Sequence, residues 1–149
     1  MNYNYFKKRI ADLQAKQLLI LADSSIKAKA AGIIFLSDNK ILLIKRAKNS
    51  DDYPLYWAFP AGKIEQLEKP VYAAMRECQE EIGVSIDSYD EQPKLLDISD
   101  KGFYTFLVKD TGVFNPVLND ESVDSGWFAV DILPQPMHAE ALKIIKKVL

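Results

Sequence analysis

The chain has 149 residues, of which 48% are hydrophobic, which is enough for one domain with a substantial core and argues against disorder. A net charge of −2 excludes the broad basic surface that tracks nucleic acid or coats an anionic membrane. Cys78 is the single cysteine, so an internal disulfide is excluded and a reducing compartment suits the chain.

Near the N-terminus, Phe6, Ile10, Leu13, Gln17, Ile20 and Leu21 recur close to helical spacing, with Lys7, Lys8, Arg9 and Lys16 between them. This pattern predicts an amphipathic helix over 3–21, within an extension covering 1–27. Its apolar stripe either packs on its own domain or forms a homodimer contact. From residue 30 the pattern changes to strands, because 31–36 and 40–45 are apolar runs flanking Ser37-Asp38-Asn39, a hairpin signature. Lys45 and Arg46 end the second run, as phosphate contacts or as a solvated strand end. Residues 47–56 are polar and contain Pro54, which predicts a loop. Tyr53, Tyr56 and Trp57 suit core or rim packing, or stacking on a base.

Pro70 fits a first helical turn, where its missing N–H leaves no donor unpaired, and Gly83 fits the left-handed residue that ends a helix. A helix over 69–82 follows, with Val71, Ala74, Met75, Cys78 and Ile82 on its apolar face. Cys78 then reads as a small buried hydrophobe, not a nucleophile. Residues 95–99 and 103–109 predict two strands around Asp100-Lys101-Gly102, and 127–130 predicts another. A turn over 131–136 leads to a last helix from about 137, with Ala141, Leu142, Ile145 and Leu149 on its buried side. His138, the lone histidine, caps this helix or faces solvent. No run is long and apolar enough to span a bilayer and no signal-like segment is present, so the expected location is cytoplasmic.

The helix over 69–82 also carries the chemistry. Glu77, Glu80 and Glu81 are related as i, i+3 and i+4, which gathers three like charges within one turn. Acidic clusters of this kind are most often solvated faces. If instead a cation sits among them, oxygen ligands select a hard divalent ion. Mg²⁺ suits it best, because it takes few carboxylates, keeps waters and is completed by substrate phosphate oxygens.

The wider pattern resembles the Nudix box: Gly62, five residues, Glu68, seven residues, Arg76-Glu77, apolar Cys78, one residue, Glu80-Glu81, one residue, Gly83 and apolar Val84. The run Ile41 to Arg46, the segment Trp57-Ala-Phe59-Pro60-Ala61-Gly62, and Trp127 to Pro134 are similar to family features in the same order. The resemblance implies an α/β fold, an α/β/α sandwich around a mixed β-sheet, here with an additional N-terminal helix. It implies Mg²⁺, with Mn²⁺ as substitute, held by Glu77, Glu80, Glu81 and the carbonyl of Ala61. Arg76 would orient and neutralise the glutamates, and Glu68 would be a helper acid or base. Arg46, Trp57 and Phe59 would meet the substrate. The base that activates water would be a box glutamate or a distal acid. Glu121 is the distal candidate, with a plain polar loop residue as the other reading. The chain departs from the family at Ala61, where Gly is usual; if that position needs φ > 0, Ala is strained by roughly 1 kcal/mol.

The implied activity is hydrolysis of the pyrophosphate bond in a nucleoside diphosphate linked to another group, a triphosphate or an ADP-ribose or nucleotide-sugar type, releasing a nucleoside monophosphate. The partner is then a small nucleotide, with no membrane. Two alternatives stay open: trimming of RNA 5′ ends, which the acidic balance disfavours, and a non-catalytic nucleotide sensor.

Overall fold

Alternation along the first hairpin sorts its side chains between two faces of one sheet, and the rest of the fold follows from covering both. The computed structural model describes residues 8, 9, 11, 12, 27–89 and 92–149. Strands β1 (Ala30–Ser37) and β2 (Lys40–Arg46) form the expected hairpin, closed by Asp38 and Asn39 at φ of 51° and 61°. Two successive left-handed residues give a tight turn whose twist matches that of the strands.

The β1–β2 register runs through Leu36 with Ile41 and Ser37 with Lys40 at the hairpin end. Toward its start β1 pairs instead with β4 (Ala61–Lys63), while β2 pairs with β3 (Trp57–Ala58) and, along its length, with β7 (Ser122–Ala129). The hairpin strands therefore diverge, and a cavity opens between them. On its other side β1 runs parallel to β6 (Phe103–Lys109), and β5 (Lys94–Ile98) completes the open mixed sheet antiparallel to β6.

Ala31, Ile33 and Phe35 of β1, with Leu42 and Ile44 of β2, meet Ala73, Ala74, Cys78 and Ile82 of helix α1 (Pro70–Ile82). Ile34, Leu36, Ile41 and Leu43 point the opposite way, against Ala141, Ile144, Ile145 and Val148 of helix α2 (Ala139–Val148). Each fully buried aliphatic side chain contributes about 1.5–3 kcal/mol, so the sheet is held from both sides. A register shift between Leu95 and Asp97 lets Leu96 and Asp97 both face α2. There the Asp97 carboxylate, 1% exposed as a residue, meets Lys147 Nζ at 2.9 Å. A bulge of this kind re-aims one side chain without ending the strand.

Three features differ from the sequence pattern. β7 starts at Ser122, well before 127, because Ser122, Asp124 and Ser125 pair with Arg46, Lys45 and Ile44 whatever their polarity. The short strands β3 and β4 have no periodicity of their own and exist because β2 and β1 offer free edges. On α2 the fully buried set is Ala141, Ile144, Ile145 and Val148, with Leu142 and Leu149 only partly covered. The expected N-terminal helix over 3–21, and any dimer contact through it, lies outside the described residues except for 8, 9, 11 and 12, which are helical. Among the described residues no helix is long and apolar enough to cross a membrane.

Candidate active site

Helix α1 has the limits its sequence implied. Pro70 opens it after Lys69, and Gly83 closes it at φ 68°, its N–H donating to the Gln79 carbonyl at 3.1 Å. Within it, one guanidinium binds four residues. Arg76 Nε and Nη2 donate to the two oxygens of Glu68 at 2.9 and 3.1 Å, and Nη2 also donates to the Lys63 carbonyl at 3.0 Å. Nη1 donates to Glu77 at 3.0 Å and to both Glu80 oxygens at 3.3 Å. Glu68 Oε1 accepts the N–H of Glu65 at 3.0 Å as well. The Arg76 hydrogen bonds, more than any other influence, hold the Glu68 carboxyl below its usual range, and Glu68 in return raises Arg76. Charge-assisted, two-pronged bonds of this kind are among the strongest and most directional a side chain makes.

Gly62 has no side chain because the Glu77 carboxyl fills that space: a Cβ there would overlap it. Glu81, one helical turn on, is 7% exposed. Burial first, then a hydrogen bond and charge repulsion from Glu77 and the charge of Glu121, push its pKa up to about 9, with Arg46 opposing. Two carboxyls thus face each other in a poorly solvated place, and one of them holds a proton unless a cation arrives. The same burial, with Glu81 and Glu77 nearby, raises the Cys78 thiol.

The cavity between β1 and β2 has a volume of about 840 Å³, and Ala61, Gly62, Glu77, Glu81, Arg46 and Glu121 line it. Glu121 is set there by one local and one long-range bond. Its N–H donates to Asn119 Oδ1 at 3.0 Å, and its carbonyl accepts the Ala47 N–H at 2.9 Å. Arg46 is not a solvated strand end: Nε donates to the Asp52 carbonyl at 2.7 Å and Nη2 to Ser50 Oγ at 3.2 Å, which holds the head over the cavity.

Other expected residues fall differently. Glu80 and Glu68 do not line the cavity; both are engaged by Arg76. Phe59 lines the cavity, edge-on to Phe103 at 6.1 Å between centroids. Trp57 does not, for it is buried on the α2 side of the sheet against Phe128 at 5.1 Å. Ala61 lies in strand β4 outside the left-handed region, so the strain considered for it does not arise. Opposite it stands Gly32, whose added Cβ would come within 2.6 Å of the Ala61 methyl. The small residue the family places at 61 has a counterpart across the ladder.

Pattern reading missed Asp52 and assigned no ligand contact to His138, although both line the cavity. The chain path explains this. Trp57 donates to the Pro136 carbonyl at 2.9 Å and accepts from His138 N–H at 2.8 Å, a bridge spanning distant sequence that brings the start of α2 over the loop 47–56.

Among the described residues no three His, Cys, Asp or Glu side chains close around one point. The donors nevertheless suit a hard cation. Glu77 and Glu81 supply oxygens in the cavity, Ala61 borders it, and the repulsion between the buried Glu81 and the partly buried Glu77, whose one arginine contact is shared with Glu68 and Glu80, is relieved by a divalent ion. Mg²⁺ needs only one or two protein carboxylates when phosphate oxygens and water complete its shell.

Residues 26–148 match the family model of the NUDIX domain. Over 124 residues the chain is 28% identical to the m7GpppN-mRNA hydrolase of Saccharomyces cerevisiae, covering 80% of this chain and 12% of that protein. Over 114 residues it is 32% identical to the 8-oxo-dGDP phosphatase of Mus musculus, covering 71% of this chain and 33% of that protein. The chain therefore spans a minor part of each of these relatives' lengths. The crystal structure of a MutT NUDIX hydrolase from Burkholderia pseudomallei superposes with a TM-score of 0.65 at 27% identity, over 83% of this chain and 99% of that one.

Proposed function

This chain belongs to the Nudix family of pyrophosphohydrolases, and from that premise we propose that it is a Mg²⁺-dependent enzyme, Mn²⁺ substituting, that cleaves a nucleoside diphosphate linked to another group. The observation that carries the proposal is the pairing of the buried Glu81 with the partly buried Glu77, facing a cavity that also holds Glu121 and Arg46.

Glu77, Glu81 and the Ala61 carbonyl would hold the ion, with Glu80 joining from the rim. Once bound, the cation would neutralise phosphate oxygens and lower the pKa of a water. Arg76 is a positioning residue: one nitrogen fixes Glu77, the others clamp Glu68 and the Lys63 carbonyl, and the site cannot drift relative to β4. Glu68, with both oxygens on Arg76, serves that clamp and not proton transfer. Glu121 takes the proton of the attacking water, since it lies in the cavity beside Glu81. Water adds to one phosphorus and the bridging P–O bond breaks. A nucleoside monophosphate leaves together with the phosphorylated remainder. Arg46, held by its own loop, meets the phosphate farther from Glu77 and stabilises the charge that develops there.

A triphosphate or an ADP-ribose-like diphosphate fits this reading, in a cytosolic setting. A second reading, removal of an RNA 5′ end group, is favoured by the likeness to an mRNA hydrolase and disfavoured by the net charge of −2. The test is incubation with Mg²⁺, with Mn²⁺ or with chelator, over nucleoside triphosphates, ADP-ribose, nucleotide sugars and triphosphorylated RNA, with products identified by mass. Metal-dependent release of a nucleoside monophosphate is expected. Tight nucleotide binding without turnover would instead identify a sensor.

A further inference from the structure

The cavity passes between the diverging strands β1 and β2, and its α2-side end carries polar groups that the hydrolysis does not use. Glu77 and Glu81 belong to α1; Asp52, His138, Ala141 and Ile144 line the cavity from the loop 47–56 and from α2, on the opposite face of the sheet. Arg46 lies between the two ends, since its charge acts on both Glu81 and His138.

The proton of the His138 ring is assigned by its cap. Nδ1 accepts the Ala141 N–H at 3.4 Å, so in the neutral imidazole the remaining hydrogen is on Nε2. Burial, the largest influence, lowers the His138 pKa and keeps the ring neutral near pH 7, against Asp52 and Glu140, which raise it. Nε2 stands 3.6 Å from Asp52 Oδ2. That is too long for a hydrogen bond, so the donor and the carboxylate both keep capacity for a ligand. Tyr53 supports the imidazole at 4.1 Å between ring centroids, and Phe59 and Phe103 give an apolar wall for a planar group.

We propose that this end of the cavity reads guanine, His138 Nε2–H donating to O6 while the Asp52 carboxylate accepts N1–H and the 2-amino group. Donor, acceptor, acceptor is the order that cytosine offers guanine in a base pair. Adenine presents an amine and a bare N1, so its lone pair would face the carboxylate. Hypoxanthine keeps O6 and N1–H and lacks only the amine. This inference deepens, and rests on, the nucleotide-hydrolase reading above. A two-pronged contact to a base discriminates by roughly 5- to 150-fold.

The test is calorimetric titration of the full chain with GMP, IMP and AMP in the presence of Mg²⁺, on the wild type and on Asp52→Asn. The Asp52 side chain is 64% exposed and its carbonyl, not its carboxylate, holds Arg46, so the substitution keeps the fold, which a melting curve verifies. The wild type should bind GMP about 10-fold tighter than AMP and several-fold tighter than IMP, and Asp52→Asn should bring the three within about twofold. Equal affinity of the wild type for all three, or an Asp52→Asn protein that keeps the GMP preference, overturns the proposal. Hydrolysis without base preference overturns base reading and leaves the hydrolase intact. Guanine-selective binding by a protein that hydrolyses no nucleotide upholds the reader and overturns the hydrolase.

Discussion

Replacing Glu81 by Gln separates what this side chain costs the fold from what it contributes to function. In metal-free protein the folded-state pKa is about 9 against an ordinary 4.5, so between those values the folded chain binds a proton that the unfolded chain has released. Stability therefore falls as pH rises through that window. At about pH 7.5, three units above the ordinary value, the ceiling on this cost is roughly 4 kcal/mol at 1.36 kcal/mol per unit. Relaxation and sharing of the proton with Glu77 reduce it, and about 1–3 kcal/mol is expected. Gln has the same shape without the charge, so in chelator near pH 7.5 Glu81→Gln should melt roughly 2–10 °C higher than wild type, with the gap closing near pH 5. Adding Mg²⁺ should stabilise the wild type and leave the variant nearly unmoved, and turnover should fall by about 100-fold or more. Thermal melts across pH, with and without Mg²⁺, and a product assay supply the readouts. A wild-type stability that is flat from pH 5 to 8.5 in chelator, or a variant less stable than wild type at pH 7.5, would refute the reasoning.

Gly62→Ala should lower turnover by roughly 10- to 100-fold while the protein stays folded, because the new methyl overlaps the Glu77 carboxyl; kinetics beside a melting curve check this. Arg76→Lys should cost about 1–3 kcal/mol in urea unfolding, since an ammonium cannot reproduce the two-pronged Glu68 contact and the Lys63 and Glu77 bonds together; an unchanged midpoint would mean the clamp is not structural. Cys78, buried with a raised pKa, should resist a thiol reagent near pH 8 until the protein unfolds, so labelling should follow the unfolding rate; fast labelling of native protein would contradict its burial.

Much of α1 was legible in the chain because its information is local. Pro70 and Gly83 are read one residue at a time, and the spacing of Glu77, Glu80 and Glu81 sets their common side of the helix through helical geometry alone. The hairpin at Asp38-Asn39 was legible for the same reason, whereas the sorting of its continuous apolar runs to two faces came from the structure. Spacing does not say which of three neighbouring carboxylates line a cavity. Arg76, reaching Glu68 across the turn from β4, bonds both Glu77 and Glu80 through one nitrogen, with Glu80 at the rim and Glu77 lining the cavity beside Glu81.

Everything that joins distant residues was decided by tertiary structure. Glu121 enters the cavity because Ala47 bonds its carbonyl, and His138 arrives beside Asp52 because Trp57 pairs with 136–138. Trp57 shows the same limit from the other side: its neighbours in sequence place it near the substrate, yet its packing against Phe128 takes it into the core. Side-chain periodicity encodes which face of an element is buried. Backbone hydrogen bonding between free strand edges is blind to side-chain identity, and it brought Glu121 and His138 to a cavity whose glutamates arrive by the packing of α1 on the sheet.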